Sequence, residues 1–254
     1  AAGIMASTIV APSVGLYYLN SQYEEYALVP DRIKQLNYLI PNYTTTADGK
    51  QIFKDFGNQD VDKMSSEEVK NHLLSSGCWP FIKQRPFDVI ANPNQAPKAI
   101  FISAYASSPL AANYDYTLAG KEEELQVALT AISKLTTGSV HVSVGKDSNS
   151  PFTGLKNIQL HNVSGPHPVG NVSTQISQID PLNKGEVVWV INPHDLLVIG
   201  ELLLTGNFNF SRTLALTGSQ FERPSYVSVV AGASISDVVA KNIIIDNTRI
   251  ISGN

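Results

Sequence analysis

Cysteine is almost absent from this chain of 254 residues, which contains only Cys78. An iron–sulfur cluster normally needs about four thiolates and a disulfide needs two, so the chain alone can form neither. Cys78 lies in the segment GCWPF, between a predicted helix and a loop. We expect it to be a small buried apolar residue rather than a reactive thiol, and a reducing compartment is consistent with this.

The chain also has no surplus of basic residues and no long apolar run. Its 18 Lys and Arg residues against 22 Asp and Glu residues give a formal net charge of -4, so nucleic acid is not expected as a partner. Residues 1–23 carry no charge, but Pro12 and Gly15 dilute their hydrophobicity, and Glu201 interrupts the run LLVIGELLL. We therefore predict no transmembrane span and expect any membrane association to occur through partners.

A glycine-rich phosphate-binding loop is missing as well. In dinucleotide-binding folds, glycine lets the backbone after the first strand approach the pyrophosphate. The turn after a predicted strand at residues 99–104 reads ASSPLAANYDY and contains no glycine. The segment VGKDS at residues 144–148 lacks the upstream glycine of a phosphate loop. We therefore do not expect this chain to bind a dinucleotide, whatever its fold.

The sequence does contain clear signals for helices. Ser65, with Glu68 three residues later, forms a capping box, and Gly77 can end the helix that begins there. A second helix is predicted to start at residues 122–124, where three glutamates suit the positive end of the helix dipole, and to end at Gly138.

Strands are predicted around the second helix, at residues 99–104 and 139–144, with a further central strand at residues 187–191. The Asn-Pro pair at residues 192–193 can begin a third helix, which Gly206 can end. A strand, a helix and a second strand in this order are typical of a right-handed parallel unit. We therefore predict the α/β class with a Rossmann-like architecture.

These signals divide the chain into three predicted regions. Residues 1–56 form an N-terminal β segment of short strands, residues 57–206 form the Rossmann-like α/β domain, and residues 207–254 form a small and incomplete α+β unit. Four prolines within residues 79–97 lead us to expect an ordered loop there. In the last region we predict strands at residues 212–217 and 226–230, a short helix at 234–241, and the start of a strand at 249–252.

Residues 161–189 concentrate His, Pro and Gly and therefore resemble a site. His161, His167 and Asp180 could suggest a bound metal, but their spacing matches no standard zinc or iron pattern. A turn whose path is fixed by Pro and Gly, with imidazoles forming hydrogen bonds, is the simpler interpretation. A proton-relay role for His167 stays open because an imidazole titrates near neutral pH.

The segment IKQRPFD provides a second candidate contact through Lys83 and Arg85. A cation held between prolines and aromatic rings could bind an anionic ligand or a neighbouring protein. Arg85 stacked on Trp79 or Phe81 as a structural brace is the alternative. No G-x-S-x-G elbow surrounds any serine, so a hydrolase triad has no support.

The segment HNVSGPHPVGNVSTQISQIDPLNKGEVVW closely resembles the alpha subunit of the sodium-translocating NADH:quinone oxidoreductase (Na+-NQR), a bacterial respiratory complex. The resemblance is carried here by Gly165, Pro166, His167, Pro168, Gly170, Thr174, Asp180, Pro181 and Trp189. It also includes WPFIKQRPFDV, APKAIFISAY, VVWVINPHDLLVIGELL and TRIISG, and extends from near residue 56 to residue 254. The family often has T-H-I-H after the GPHP turn, where this chain has Thr-Gln-Ile-Ser, so the resemblance does not imply catalysis by those imidazoles.

The resemblance implies a truncated form of a peripheral subunit on the cytoplasmic side of the bacterial inner membrane. Its complex oxidises NADH, reduces ubiquinone and exports sodium. The other subunits are the implied partners, and ubiquinone is an implied ligand of the intact complex. The implied fold is similar to the flavin-carrying NADH subunit of complex I without its cofactor loops, preceded by a partial lipoyl-like segment and followed by a β-grasp-like (SLBB-type) unit.

We therefore expect no tightly bound cofactor, no metal and no catalytic residue in this chain. The candidate ligand or subunit contacts are Lys83, Arg85, Gly165, Pro166, His167, Pro168 and Gly170. A stand-alone α/β module that binds a nucleotide or another small ligand is the alternative, and the missing phosphate loop counts against it.

Overall fold

The computed structural model describes residues 9–11, 15–17, 43–45, 51–231, 233–239, 242–244, 248–251 and 253. The chain forms two compact units, one of residues 53–209 and one of residues 1–52 together with residues 210–254. Within the described residues, no helix combines the length and the apolar character that a membrane crossing requires.

The N-terminal strands form two small sheets of two strands each. Strand β1 (Ile9–Ala11) pairs antiparallel with β2 (Gly15–Tyr17), and β3 (Tyr43–Thr45) pairs with β4 (Gln51–Phe53). These strands confirm the expected short strands where the chain is described. The rest of the expected β segment lies outside the described residues.

A six-stranded sheet forms the centre of the unit of residues 53–209. Its strands are β5 (Ile82–Arg85), β6 (Val89–Ile90), β7 (Ile100–Ser103), β8 (Val140–Gly145), β9 (Gln159–Val163) and β10 (Val188–Ile191). They lie in the order β6-β5-β10-β7-β8-β9. Neighbours from β10 to β9 are parallel, whereas β5 runs antiparallel to both β10 and β6. The predicted α/β class with a mostly parallel sheet is confirmed.

Strands β5 and β6 correct the expectation of a loop throughout residues 79–97. They form a hairpin, with Pro86 in the connection between them, where its missing N–H is not needed by the ladder. The indole N–H of Trp79 donates to the carbonyl of Ala91 at 2.7 Å, which ties the start of the segment to the residue after β6. The prolines thus shape the hairpin without preventing it.

Five helices belong to the same unit: α1 (Ser66–Ser76), α2 (Tyr114–Thr117), α3 (Glu122–Ser133), α4 (Val172–Ile179) and α5 (Pro193–Thr205). The predicted capping box is confirmed, because Ser65 and Glu68 each accept a backbone N–H of the other through their side chains. The predicted limits of α5 are confirmed too. The Asn192 side chain accepts from the N–H of His194, and Gly206 ends the helix in a left-handed conformation.

Helix α3 ends at Ser133, five residues before the predicted end at Gly138. Beyond it, the ammonium of Lys134 donates to three backbone carbonyls within residues 61–64, at 2.6–3.1 Å. Gly138 has a different role from the one expected. A Cβ at this position would lie 1.9 Å from the carbonyl oxygen of Lys98, so the glycine allows a close approach of two backbone segments.

Helix α4 was not predicted, because the Gly/Pro-rich sequence before it suggested a longer loop. Its buried Ile176 packs with Phe101 of β7 and Val188 of β10 in one hydrophobic cluster. The alternate β7 residues Ile100 and Ile102 are also fully buried. Both faces of this central strand are therefore covered, as expected for a parallel sheet.

The second unit contains β11 (Ser211–Leu216), β12 (Ser225–Val230) and α6 (Ile235–Val239). The two strands pair antiparallel over their full length, and with the helix they confirm three of the four elements predicted there. The strand predicted at residues 249–252 is wrong for its described part. Residues 249–251 are exposed and have no regular structure, because among the described residues they have no partner strand.

Helices α3 and α5 cross closely at Gly200, where an added Cβ would lie 1.9 Å from the carbonyl oxygen of Glu124. In an isolated helix, Gly→Ala stabilises by about 1 kcal/mol. Here we expect Gly200→Ala to lower the free energy of unfolding by about 1–3 kcal/mol, because the helices must separate. Urea denaturation tests this prediction against Gly185→Ala, whose added methyl would meet no atom within 4 Å. A stabilised Gly200→Ala variant would contradict the described crossing.

Candidate functional site at the carboxyl edge of the sheet

The chain order of the strands reverses between β7 and β10. From β7 the chain proceeds to β8 and β9 on one side, and then returns to β10 on the other side of β7. In open α/β sheets, ligands bind outside the carboxyl ends of the strands at such a switch point. The residues that follow β7 and β10 are therefore the first place to look for a site.

The GPHPVG segment, which we call the 165–170 loop, is fastened to the carboxyl end of β7. The hydroxyl of Ser103, the last residue of β7, donates to the carbonyl of Gly170 at 2.8 Å. The side-chain amide of Gln175 in α4 donates to the same hydroxyl at 2.8 Å and to the carbonyl of Val169 at 3.1 Å. Strand, loop and helix are thus joined by a single polar network.

Gly170 is required by the close approach of this loop to the segment after β7. A Cβ at Gly170 would lie 2.5 Å from the carbonyl oxygen of Tyr105 and 2.6 Å from the backbone nitrogen of Ser107. The N–H of Gly170 donates to the Ser107 hydroxyl at 2.8 Å. Gly165 has a φ of +138°, which also favours glycine. Two of the loop's glycines therefore have a structural reason.

His167 is exposed between Pro166 and Pro168, and its orientation is set by two serines. Its Nδ1 lies 3.1 Å from the Ser107 hydroxyl and 3.3 Å from the Ser108 hydroxyl. Because Ser107 already accepts the N–H of Gly170, its own proton is available for Nδ1. A neutral His167 then carries its proton on Nε2, which makes it a hydrogen-bond donor on an exposed side chain.

On the β10 side of the switch point, helix α2 lies over the start of α5. The amide of Asn192 donates to the hydroxyl of Tyr114 at 3.3 Å, and Nε2 of His194 lies 2.8 Å from the hydroxyl of Thr117. Burial raises the pKa of Tyr114, and the charge of Asp195 adds to this shift against the opposing hydrogen bond from Asn192. The phenol therefore stays protonated and serves as a hydrogen-bonded plug.

Lys83 and Arg85 are not brought together with the 165–170 loop. Strand β5 is antiparallel to β10, and Arg85 pairs with Val188 at the start of β10, near the amino ends of the parallel strands. The guanidinium of Arg85 pairs with Asp88 at 3.4 Å. Burial lowers the pKa of Lys83, although nearby carboxylates oppose the shift. The two sets of candidate residues thus lie toward opposite edges of the sheet.

The aromatic rings considered for the arginine brace pack on other rings. Trp79 forms an edge contact with Trp189, with ring centroids 5.4 Å apart, and Phe81 packs on Phe208 at 5.9 Å. Cys78 is fully buried, as predicted.

The three residues weighed as a metal site have separate partners. His161 contacts His141 across β8 and β9, Asp180 pairs with Lys98, and His167 contacts the serines after β7. Within the described residues no group of three or more His, Cys, Asp or Glu side chains could hold a metal ion.

Sequence reasoning missed Ser103, Ser107 and Gln175, which hold the loop. Two signals were available for them. Ser103 is a polar residue at the end of the buried strand IFIS, and Gln175 is a polar residue on the apolar side of VSTQISQI, where it is only 2% exposed. A buried polar side chain needs hydrogen-bond partners, so each residue pointed to a local network.

We expect Ser103→Ala to lower the free energy of unfolding by about 1–3 kcal/mol, because the buried Gln175 amide loses an acceptor and the loop loses its attachment. Urea denaturation measures the change. Ser108→Ala removes a similar hydroxyl at the outer side of the loop and should cost less than about 0.5 kcal/mol. Equal effects of the two substitutions would argue against the network around Ser103.

Comparison with known proteins agrees with this structure. Residues 64–208 match the family described as the NqrA second alpha/beta domain, and residues 213–254 match the NQRA C-terminal domain. A solved structure of an NAD+-reducing [NiFe]-hydrogenase in the H2-reduced state is 10% identical, with a TM-score of 0.48, and covers 86% of this chain and 49% of its own. So distant a likeness indicates no function.

Curated relatives that are NqrA (alpha) subunits of Na(+)-translocating NADH-quinone reductase are much more similar. The protein of Neisseria meningitidis serogroup B is 34% identical over 202 residues, which is 80% of this chain and 45% of the relative. That of Haemophilus influenzae is 33% identical over 208 residues, 82% of this chain and 46% of the relative. The chain thus spans about half the length of the curated relatives that it matches. It belongs to the NqrA family, the alpha subunits of Na(+)-translocating NADH-quinone reductase.

Proposed function

We propose that this chain is part of a peripheral subunit of a membrane-bound, sodium-pumping NADH:ubiquinone reductase, on the cytoplasmic side of the bacterial inner membrane. In this role it contributes to assembly of the complex and to the shape of its quinone-reduction end. It carries no redox cofactor of its own. The observation that carries the proposal is the occupied switch point of a nucleotide-type sheet in a chain of this family.

The strand order supports a Rossmann-like domain related to the flavoprotein subunit of complex I. Counted along the chain, the four parallel strands lie in the order third, second, first, fourth. This order begins the sheet of dinucleotide-binding Rossmann domains. In the second unit, the β11–β12 hairpin followed by α6 is compatible with a β-grasp-like (SLBB-type) unit, and the paired N-terminal strands are compatible with a lipoyl-like segment.

The switch point itself argues against a bound dinucleotide. The 165–170 loop covers the end of β7, and α2 covers the start of α5. The first turn of α3, the longer helix after β7, carries three glutamates, Glu122, Glu123 and Glu124. Their charges oppose the binding of a phosphate at this helix N-terminus. These features support a scaffold that has lost nucleotide binding.

A cavity of about 530 Å³ lies beside α3 and the end of α5, and its lining includes Glu123, Glu124, Glu201 and Lys121. The ammonium of Lys121 pairs with Glu124 at 3.0 Å and with Glu201 at 3.3 Å. One cation against three carboxylates gives the cavity a negative charge. A nucleotide would therefore be repelled there too, which weakens the alternative of a nucleotide-binding module.

Calorimetric titration of the purified chain with NADH tests the absence of nucleotide binding. We expect no saturable heat, because loop, helix and glutamates occupy or repel the places that a dinucleotide needs. A visible absorption spectrum of the same sample should lack the band of an oxidised flavin. Micromolar NADH binding or a stoichiometric flavin would contradict the proposal.

The β5–β6 hairpin supports a role in assembly. Phe87 at its tip is 78% exposed, and Val89 and Ile90 are also exposed. The ion pair between Arg85 and Asp88 spans the turn and steadies it. Contiguous exposed apolar side chains of this kind mark protein contacts. We therefore assign the hairpin to a contact with another subunit of the complex.

Phe87→Gln in the full subunit should reduce its co-purification with the other subunits several-fold, because the apolar anchor of the hairpin is lost. Leu74→Gln is the matched control, since Leu74 is an exposed apolar residue on α1. Thermal unfolding of both variants should resemble that of the unchanged protein. If both variants assemble normally, the hairpin is not the contact.

A further inference from the structure

Two histidines on neighbouring strands face each other away from the switch point. In the β8–β9 ladder His141 pairs with Gln159, and Ser143 pairs with His161, so the two histidines are diagonal neighbours on one face of the sheet. Nδ1 of His141 lies 3.0 Å from Nε2 of His161. The ring centroids are 5.1 Å apart. The proposed function makes no use of this pair.

His141 is held firmly, whereas His161 is open to solvent on one side. The His141 ring stacks on Phe101 with centroids 4.7 Å apart and is only 7% exposed. His161 lies on β9, the edge strand of the sheet, and is partly exposed. An ion can therefore reach the two facing nitrogens from the side of the edge strand.

The surroundings keep both rings neutral. Burial lowers the pKa of His161, and burial together with the proximity of His161 lowers the pKa of His141. The charge of Asp180 opposes this shift at His141. Asp180 and Glu186 share the ammonium of Lys98, at 2.6 Å and 3.0 Å, so this group of three carries a net negative charge. Neutral imidazoles beside a net negative charge suit a cation.

We propose that Nδ1 of His141 and Nε2 of His161 chelate one divalent transition-metal ion of the zinc class. Zinc–nitrogen bonds of about 2.0–2.1 Å in tetrahedral geometry place two ligand nitrogens about 3.3 Å apart. The observed 3.0 Å therefore needs only a small widening. Each ring keeps its proton on its other nitrogen, and the proton of the present hydrogen bond shifts there within the same ring.

The described residues supply no third ligand, so water completes the coordination and the affinity is moderate. The ion would join the edge strand β9 to β8. Because the 165–170 loop follows β9 directly, the same ion would steady the start of that loop. The site depends on neither NADH nor quinone, and it would stand or fall separately from the proposed function.

Calorimetric titration of the chelator-treated chain with ZnCl2 tests the site. At pH 7.5 we expect one ion per chain with micromolar affinity, and about tenfold or greater weakening at pH 5.5, where protons compete for both nitrogens. His161→Gln should weaken binding about tenfold or more, since a single imidazole remains. His167→Gln, at an exposed histidine outside the pair, should leave the affinity unchanged.

His161→Cys provides a second variant, because it replaces one zinc ligand by another and should retain binding. It also covers the case in which His161→Gln does not fold. The absence of zinc binding at pH 7.5, or equal affinities of the His161→Gln and unchanged proteins, would overturn the proposal. The first result would mean a hydrogen-bonded histidine pair only, and the second an adventitious ion only.

Discussion

The hydroxyl of Ser103 is the contact on which the candidate site depends. It donates to a carbonyl of the 165–170 loop and accepts from the amide of Gln175, so the end of β7, the loop and α4 share one partly buried network. Buried polar groups are costly when they are unpaired. Each member therefore holds the other two in place, and the path of the loop follows from the position of the sheet rather than from the loop's own prolines.

This attachment explains how a nucleotide-type sheet can exist without a nucleotide site. The backbone approach that a dinucleotide-binding domain offers to a pyrophosphate is made here to the chain itself, at Gly170. On the other side of the switch point, Tyr114 and Asn192 fill the space between α2 and α5. The scaffold is kept while its usual binding edge is used for internal packing, so fold and function are separated in this family member.

Local signals in the sequence predicted most of the framework. The capping box at Ser65, the start of α5 at Asn192 and the buried parallel strands each depend on residues close together in the chain, and each was predicted correctly. The misses have a different origin. The position of Arg85 relative to the 165–170 loop follows from the antiparallel pairing of β5 with β10, about a hundred residues later, and no local pattern encodes such a pairing. Helix α4 was missed because its stability comes from packing on β7 rather than from propensity.

The antiparallel hairpin beside β10 has a mechanical consequence. The turn with Phe87 follows Arg85, next to the start of β10, whereas Asn192 follows the other end of the same strand. Four residues of strand separate these ends by roughly 13 Å. A partner bound at one end would leave the other accessible, and the rigid sheet between them would transmit position but little deformation. The domain is thereby suited to serve as a spacer that sets the distance between two neighbours.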